Sequence, residues 1–237
     1  MLAEPPTKQN KGPGDESTRL ECYYTNTQSI GNKWTEIRNE IDKNTFKIMG
    51  FSETWCKDVS NEEINIANFQ MFKKDRQIQR GGGVLLYIHD SIGAAKEIFP
   101  QDGNTEDSVW ITIDKPKGDK WAIALVYRSP SSSMENNLIL LENIKWIIRE
   151  QRPTHFMLFG DFNLPSINWE TGTCPEGEDS MPSRFLDTIN DTFLFQHVLG
   201  NTRYRGTQQS RLDLIFTNEE EMIDSIEKVS PQAKVIM

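Results

Sequence analysis

Short apolar runs alternate along this chain with segments of helical spacing, and that alternation constrains the fold more than any other feature. Leu20–Thr25 reads as a first strand. Asn32 is placed to cap a helix whose apolar residues Trp34, Ile37 and Ile41 fall at helical spacing. Phe46–Phe51 is a short apolar strand that ends at Ser52 and Glu53. Three glycines, Gly81, Gly82 and Gly83, precede Val84–Ile88, which has a buried-strand pattern. Val109–Ile113 and Trp121–Tyr127 flank the turn-rich DKPKGDK and read as a hairpin. Ser132 with Glu135 makes a capping box, and the helix behind it places Leu138, Leu141, Ile144 and Ile148 on one face. Phe156–Phe159 leads into Gly160-Asp161-Phe162-Asn163. GTCPEGEDSMP reads as a loop, Phe185 to Phe193 as a helix, and Leu212–Phe216 as a strand with Asp213 inside it. Hairpins mixed with strand–helix units imply a mixed sheet system flanked by helices. No internal repeat and no second domain is evident.

The chain has 237 residues, enough for one sizeable core and few for two full domains. A content of 36% hydrophobic and 10% aromatic residues argues against disorder. No apolar run approaches a membrane span, and MLAEPPTKQNKGPGDESTRL lacks the apolar core of a signal peptide. Residues 1–19 read as a mobile tail ahead of one domain over 20–237. Cys22, Cys56 and Cys174 are odd in number, widely spaced and without a CxxC pair. Reduced thiols in an intracellular protein follow more simply than zinc ligation.

The formal charge of −9 argues against a passive nucleic-acid binder. It does not exclude a metal-dependent nuclease, whose site concentrates carboxylates while its basic residues are local. Lys73, Lys74, Arg76 and Arg80, and later Arg203, Arg205 and Arg211, are candidates for such a local basic patch; a solvated loop accounts for them equally well.

Polar residues recur where apolar strands end: Asn26, Glu53, Tyr127, Asp161, Asn163 and Asp213. Strand ends are where a rigid scaffold presents side chains into a cleft. Hard oxygen ligands without a Cys or His cluster point to Mg²⁺, and carboxylate-bound Mg²⁺ suits phosphodiester hydrolysis. Taken singly, a carboxylate after a strand is more often a turn or a helix cap, and GDFN alone could be a tight turn. The glycine triplet lacks the Gly-Lys-Ser/Thr of a phosphate-cradling loop and reads as a strand entry or bulge. Trp34, Trp110, Trp121 and Trp146 read as core. Trp169 follows the GDFN loop and is expected to pack, with part of it exposed.

The order of the segments changes the weight of each. TNTQS, FSETW, KKDRQIQRGGGV, VYRSP, GDFNLPSINW and NTRYRGTQQSRLDLIFTN follow one another over about residues 20–230. In that order they resemble the endonuclease/exonuclease/phosphatase superfamily, and most of all the endonuclease domains of non-LTR (LINE-type) retrotransposons. GDFNLP with INW, and the TR…LDL pair, are the specific elements. The resemblance implies a four-layer α/β/β/α sandwich with two mixed sheets. It implies an intracellular monomer that nicks DNA with Mg²⁺, nuclear if chromosomal DNA is its substrate, with no membrane partner. It also implies roles. Glu53 matches the principal Mg²⁺-ligand carboxylate and Asn26 the asparagine that helps set the metal site. Tyr127 matches the tyrosine on the scissile phosphate. Asp161 matches the aspartate that orients or deprotonates the attacking water, and Asn163 the asparagine that contacts the phosphate. Asp213 matches the aspartate that hydrogen-bonds a catalytic histidine, and Arg203 is assigned to substrate binding.

That family carries a C-terminal Ser-Asp-His. The corresponding segment here, KVSPQAKVIM, has none, and His89, His155 and His197 all precede Asp213. The expectation is a domain lacking its last strand, with a sheet edge left open and with weak or absent activity. The alternatives are a non-catalytic remnant or nucleic-acid-binding module, and a phosphatase or lipid phosphodiesterase of the same superfamily.

Overall fold

The computed structural model describes residues 19–76, 81–99, 107–205, 208–229 and 232–236. The proposed tail over residues 1–19 therefore lies outside the described residues, apart from Arg19. In chain order the strands are β1 (Glu21–Asn26), β2 (Ile48–Ser52), β3 (Phe69–Lys74), β4 (Val84–His89), β5 (Ala95–Glu97), β6 (Ser108–Asp114), β7 (Lys120–Tyr127) and β8 (His155–Asp161). They continue with β9 (Phe195–Gln196), β10 (Arg203–Arg205), β11 (Gln208–Ser210), β12 (Asp213–Thr217), β13 (Ser225–Val229) and β14 (Gln232–Ile236). The α-helices are α1 (Trp34–Lys43), α2 (Met134–Trp146) and α3 (Met181–Asp191).

Among the described residues the strands form two six-stranded mixed sheets and a small β10–β11 hairpin. The first sheet runs β13-β14-β1-β2-β4-β3 and the second β5-β6-β7-β8-β12-β9. Period-two alternation assigns each side chain to a face. Cys22 and Tyr24, Val84 and Leu86, Ile123 and Leu125, and Met157 and Phe159 fill the gap between the sheets. Tyr23, Met49, Phe51, Leu85 and Tyr87 turn outward beneath α1, which contributes Ile37 and Ile41. Ala124, Val126, Phe156 and Leu158 turn outward beneath α2 and α3. The central strands β2, β4, β6, β7 and β8 are thus covered on both faces, which is why they read as apolar runs. The architecture is the expected four-layer α/β/β/α sandwich.

The reading of the strands holds, including the β6–β7 hairpin, whose register pairs Trp110 with Ala124. Helix details differ. Asn32 does not cap α1; it lies in a 3-10 turn, Gly31–Lys33, that runs directly into the helix. The α2 cap is Ser133, which accepts from the Asn136 N–H, rather than Ser132. Its buried residues are Asn137, Leu140, Leu141, Asn143 and Ile144, while Leu138 is 39% exposed. The face is rotated because Asn137 turns inward to accept from Arg128 Nε at 2.9 Å. Helix α3 starts earlier than expected, since Ser180 caps it and Pro182 fits its first turn.

Of the tryptophans, Trp110 is fully in the core, and Trp34, Trp121 and Trp146 pack against it in part. Trp169 rests on Phe185 and Phe216. The three cysteines are free thiols. No helix among the described residues is long and apolar enough to cross a membrane. Beside β1 the first sheet continues into β14, which pairs antiparallel with it, Glu21 opposite Ile236 and Tyr24 opposite Ala233.

Candidate active site

The gap between the sheets changes character at one end. In the second sheet Tyr127, Asp161 and Asp213 form a single row: Tyr127 is the register partner of Asp161 in the parallel β7–β8 pair, and Asp161 that of Asp213 in the antiparallel β8–β12 pair. All three project into the gap, in phase with Leu125, Phe159 and Ile215 beneath them. In the first sheet Tyr24 and Asn26 project from β1 toward that row, and Ser52 ends the neighbouring β2.

Asn26 joins the two sheets. Its Nδ2 donates to Glu53 Oε1 at 2.8 Å and to Asp161 Oδ2 at 2.9 Å. The Tyr24 hydroxyl donates to Asp213 Oδ1 at 3.2 Å and shares a 2.8 Å hydrogen bond with Ser52 Oγ. The remaining oxygen of Asp161 accepts from the Asn163 backbone N–H at 3.2 Å. Asn163 sits at φ 48°, and its Nδ2 donates to the Arg128 carbonyl at 2.9 Å. Glu53 sits at φ 50°, just past the end of β2. Left-handed backbone at two non-glycine residues is strain held by its surroundings, a pattern that clusters at functional sites.

Burial and then the charge of Asp213 push the Asp161 carboxyl up to about 7, with Asn26 pulling the other way. Burial also raises the Asp213 carboxyl, against the hydrogen bonds from Thr202 and Tyr24 and the charge of Arg203. Burial, followed by Glu53 and Asp161, pushes the Tyr127 phenol up to about 12. Arg203, on β10, is near enough for its charge to ease both aspartates.

Every site residue expected from the sequence is therefore in this one cluster or, for Arg203, at its edge. Three contributors were not anticipated. Tyr24 supplies the donor to Asp213. Arg128 builds the GDFN loop by donating to the Phe162 and Asn163 carbonyls at 3.3 and 3.1 Å. Asp107 fixes the glycine triplet through the Gly83 N–H at 2.7 Å. The clue to Arg128 was a charged residue directly after an apolar strand; Tyr24 and Asp107 left none.

The basic candidates divide. Arg76 pairs with Asp107, Lys73 with Asp75, Lys74 with Glu97 and Arg211 with Glu170. Arg80 and the Arg205 side chain lie outside the described residues. The three histidines stand at the opposite pole. His89 closes β4, whose other end pairs with Ser52; His155 opens β8, which Asp161 closes; His197 binds Thr217 at the far end of β12 from Asp213. Strands of five to seven residues separate the poles by about 13–20 Å.

Among the described residues no group of three His, Cys, Asp or Glu side chains converges as a ligand set. The donors present still fit a hard cation. Asn26 Oδ1 is buried with no hydrogen-bond partner among the described residues, beside the carboxylate that its own amide nitrogen holds. A carbonyl oxygen and one carboxylate, completed by water, are the small protein share that Mg²⁺ ordinarily takes.

The Endonuclease-reverse transcriptase family model matches residues 121–234. No curated protein matches the sequence. Among solved structures, the endonuclease domain of TRAS1, a telomere-specific non-LTR retrotransposon, is similar at TM-score 0.67 and 18% identity, covering 92% of this chain and 96% of that one. The Xenopus laevis APE2 catalytic domain is similar at TM-score 0.62 and 14% identity, over 91% of each chain. The 3' phosphatase NExo from Neisseria, solved with a product DNA hairpin, is similar at TM-score 0.62 and 14% identity, over 92% of this chain and 98% of that one. At such identities the likeness is one of fold. Residues 121–234, just under half of the chain, are thus similar to the Endonuclease-reverse transcriptase family, and the chain as a whole shares the fold of these nuclease and phosphatase structures.

Proposed function

We propose that this chain is a DNA-nicking endonuclease that hydrolyses a phosphodiester with Mg²⁺, acting as a monomer, and in the nucleus where chromosomal DNA is the substrate. One observation carries the reading. A single amide, Asn26, ties the Glu53 and Asp161 carboxylates together across two sheets while its own carbonyl oxygen is buried with no partner among the described residues. Glu53 and Asn26 would hold the metal. Bound there, Mg²⁺ supplies charge that stabilises the phosphate oxygens and the leaving oxyanion.

The protein's own groups do the rest. Asp161 orients a water and accepts its proton, and a carboxyl raised toward neutrality suits that task. Asn163 uses one amide hydrogen on the Arg128 carbonyl; the other remains for a phosphate oxygen. Tyr127 offers its hydroxyl to the same phosphate from the next strand, and Arg203 adds positive charge at the edge of the row. The relatives above, which include a phosphatase solved with product DNA, support a nucleic-acid substrate.

A second reading is a nucleic-acid-binding fold that cleaves slowly or not at all. It is favoured by Asp213, whose partner is the neutral Tyr24 hydroxyl, with no histidine near it among the described residues. Relaxation of supercoiled plasmid with and without Mg²⁺ separates the two. Magnesium-dependent nicks that vanish in Asp161→Ala support the enzyme. DNA retention without nicks supports the binding module.

A further inference from the structure

A network beside the site has no role in the chemistry described above. Arg76 follows β3, and its guanidinium donates to Asp107 Oδ2 through Nε at 2.7 Å and through Nη2. The other Asp107 oxygen accepts from the Gly83 N–H, and the Asp107 carbonyl accepts from the Tyr127 N–H at 2.9 Å. The guanidinium carbon lies 5.8 Å from the centre of the Tyr127 ring. On the other side, the carbonyls of Gly83 and Gly82 accept from the Thr54 and Trp55 N–H groups at 3.3 and 3.1 Å, immediately after Glu53. A Cβ on Gly82 would stand 2.5 Å from Arg76 Nε and 2.6 Å from Asp107 Oδ1, so this ion pair closes only over glycine.

We propose that Arg76 is a positioning residue: it holds the Tyr127 ring by one face and, through Asp107 and Gly83, ties that ring to the loop carrying Glu53. The inference deepens the proposed function, since it rests on Tyr127 as the phosphate contact. The side chains of Arg76 and Asp107 are 14% and 12% exposed, so solvent screens the pair little. Two guanidinium N–H groups converge on the single oxygen Asp107 Oδ2, a charge-assisted contact, and a cation over a phenol ring adds attraction to the packing. Lysine carries the charge without the planar fork and cannot replace both.

The test uses the 237-residue chain with 3-fluorotyrosine incorporated, the Tyr127 fluorine resonance being the one lost in Tyr127→Phe. In Arg76→Met that resonance is expected to shift and broaden while the remaining tyrosine resonances keep their positions. Arg76→Lys gives an intermediate spectrum. Manganese affinity, read by electron paramagnetic resonance, is expected to fall about tenfold in Arg76→Met, as for other groups that orient a metal ligand. An unchanged Tyr127 resonance in folded Arg76→Met overturns the proposal. A moved resonance with unchanged manganese affinity overturns the tie to the Glu53 loop. Should Arg76→Met fail to fold, Arg76→Met/Asp107→Asn removes the stranded charge and is read in the same way. If the unaltered chain binds no manganese, the proposed function fails, and the ring resonance alone decides the positioning claim.

Discussion

Asp161 and Asp213 are register partners on the directly paired strands β8 and β12, and the charge of one raises the carboxyl of the other. Two acids so placed at the end of a buried gap resist ionising together. Arg203 eases both, while Arg128 lies near Asp161 and Lys228 near Asp213.

The first prediction concerns stability without metal. Asp161 has a folded-state pKa of about 7 against 3.8 for the free side chain. A raised carboxyl binds its proton more tightly when folded. Its contribution to stability is complete below the unfolded value and is lost as pH climbs toward the folded one. In chelator, stability is expected to fall by about 1–3 kcal/mol over that window, and Asp161→Asn is expected to remove most of the fall while abolishing nicking. Urea unfolding near pH 4 and pH 8 checks this; an equal fall in both proteins would assign it to other groups.

Glu53→Gln is expected to weaken Mg²⁺ binding at least about tenfold with little change in metal-free stability. The carboxylate is the charged member of the pair with Asn26, and its amide replacement supplies no negative charge. Calorimetry, or the upward shift of the melting temperature by Mg²⁺, reads the affinity. Equal shifts in the two proteins would remove Glu53 from the metal site.

Two glycines with similar backbone make a matched comparison. Gly83 and Gly118 stand at φ +84° and +79°. A Cβ on Gly118 meets nothing within 4 Å, whereas on Gly83 it would stand 2.7 Å from Thr54 Oγ1 and 3.0 Å from Asp75 Oδ1. Gly118→Ala is expected to cost about 1–2 kcal/mol, the left-handed strain alone. Gly83→Ala is expected to cost about 3 kcal/mol or more and to lower Mg²⁺ affinity, because Gly83 accepts from Thr54, next to Glu53. Equal costs, measured by denaturant unfolding, would mean that the triplet plays no part in shaping the Glu53 loop.

The last prediction concerns rate. Nicking by the 237-residue chain is expected to be slow. A C-terminal extension that brings Ser-Asp-His to Asp213 is expected to raise the rate by about 10²–10⁴-fold, the usual worth of a positioned acid–base group. Equal rates, with Asp161→Ala silencing both proteins, would show that another group does the work of the histidine.

The layers and the site row were legible because strands covered on both faces announce themselves as apolar runs, and the polar residue closing each run marks the end of the gap. Glu53, Asp161 and Asp213 could be picked out that way. What joins them could not. Tyr24 looks like any aromatic residue of a buried strand until β1 is laid opposite β12. Asp107 and Arg76 are 31 positions apart, and local spacing says nothing of a pair closed over a glycine. The face of α2 was misjudged for a related reason. Periodicity counts apolar residues, and Asn137 is buried to serve Arg128.

Because His89, His155 and His197 all sit at the pole away from the carboxylates, the chemistry assigned to this chain owes nothing to an imidazole. Acylating its histidines would leave that chemistry standing and silence any contaminating nuclease that works through one. The extended chain, by contrast, would become sensitive to the same reagent.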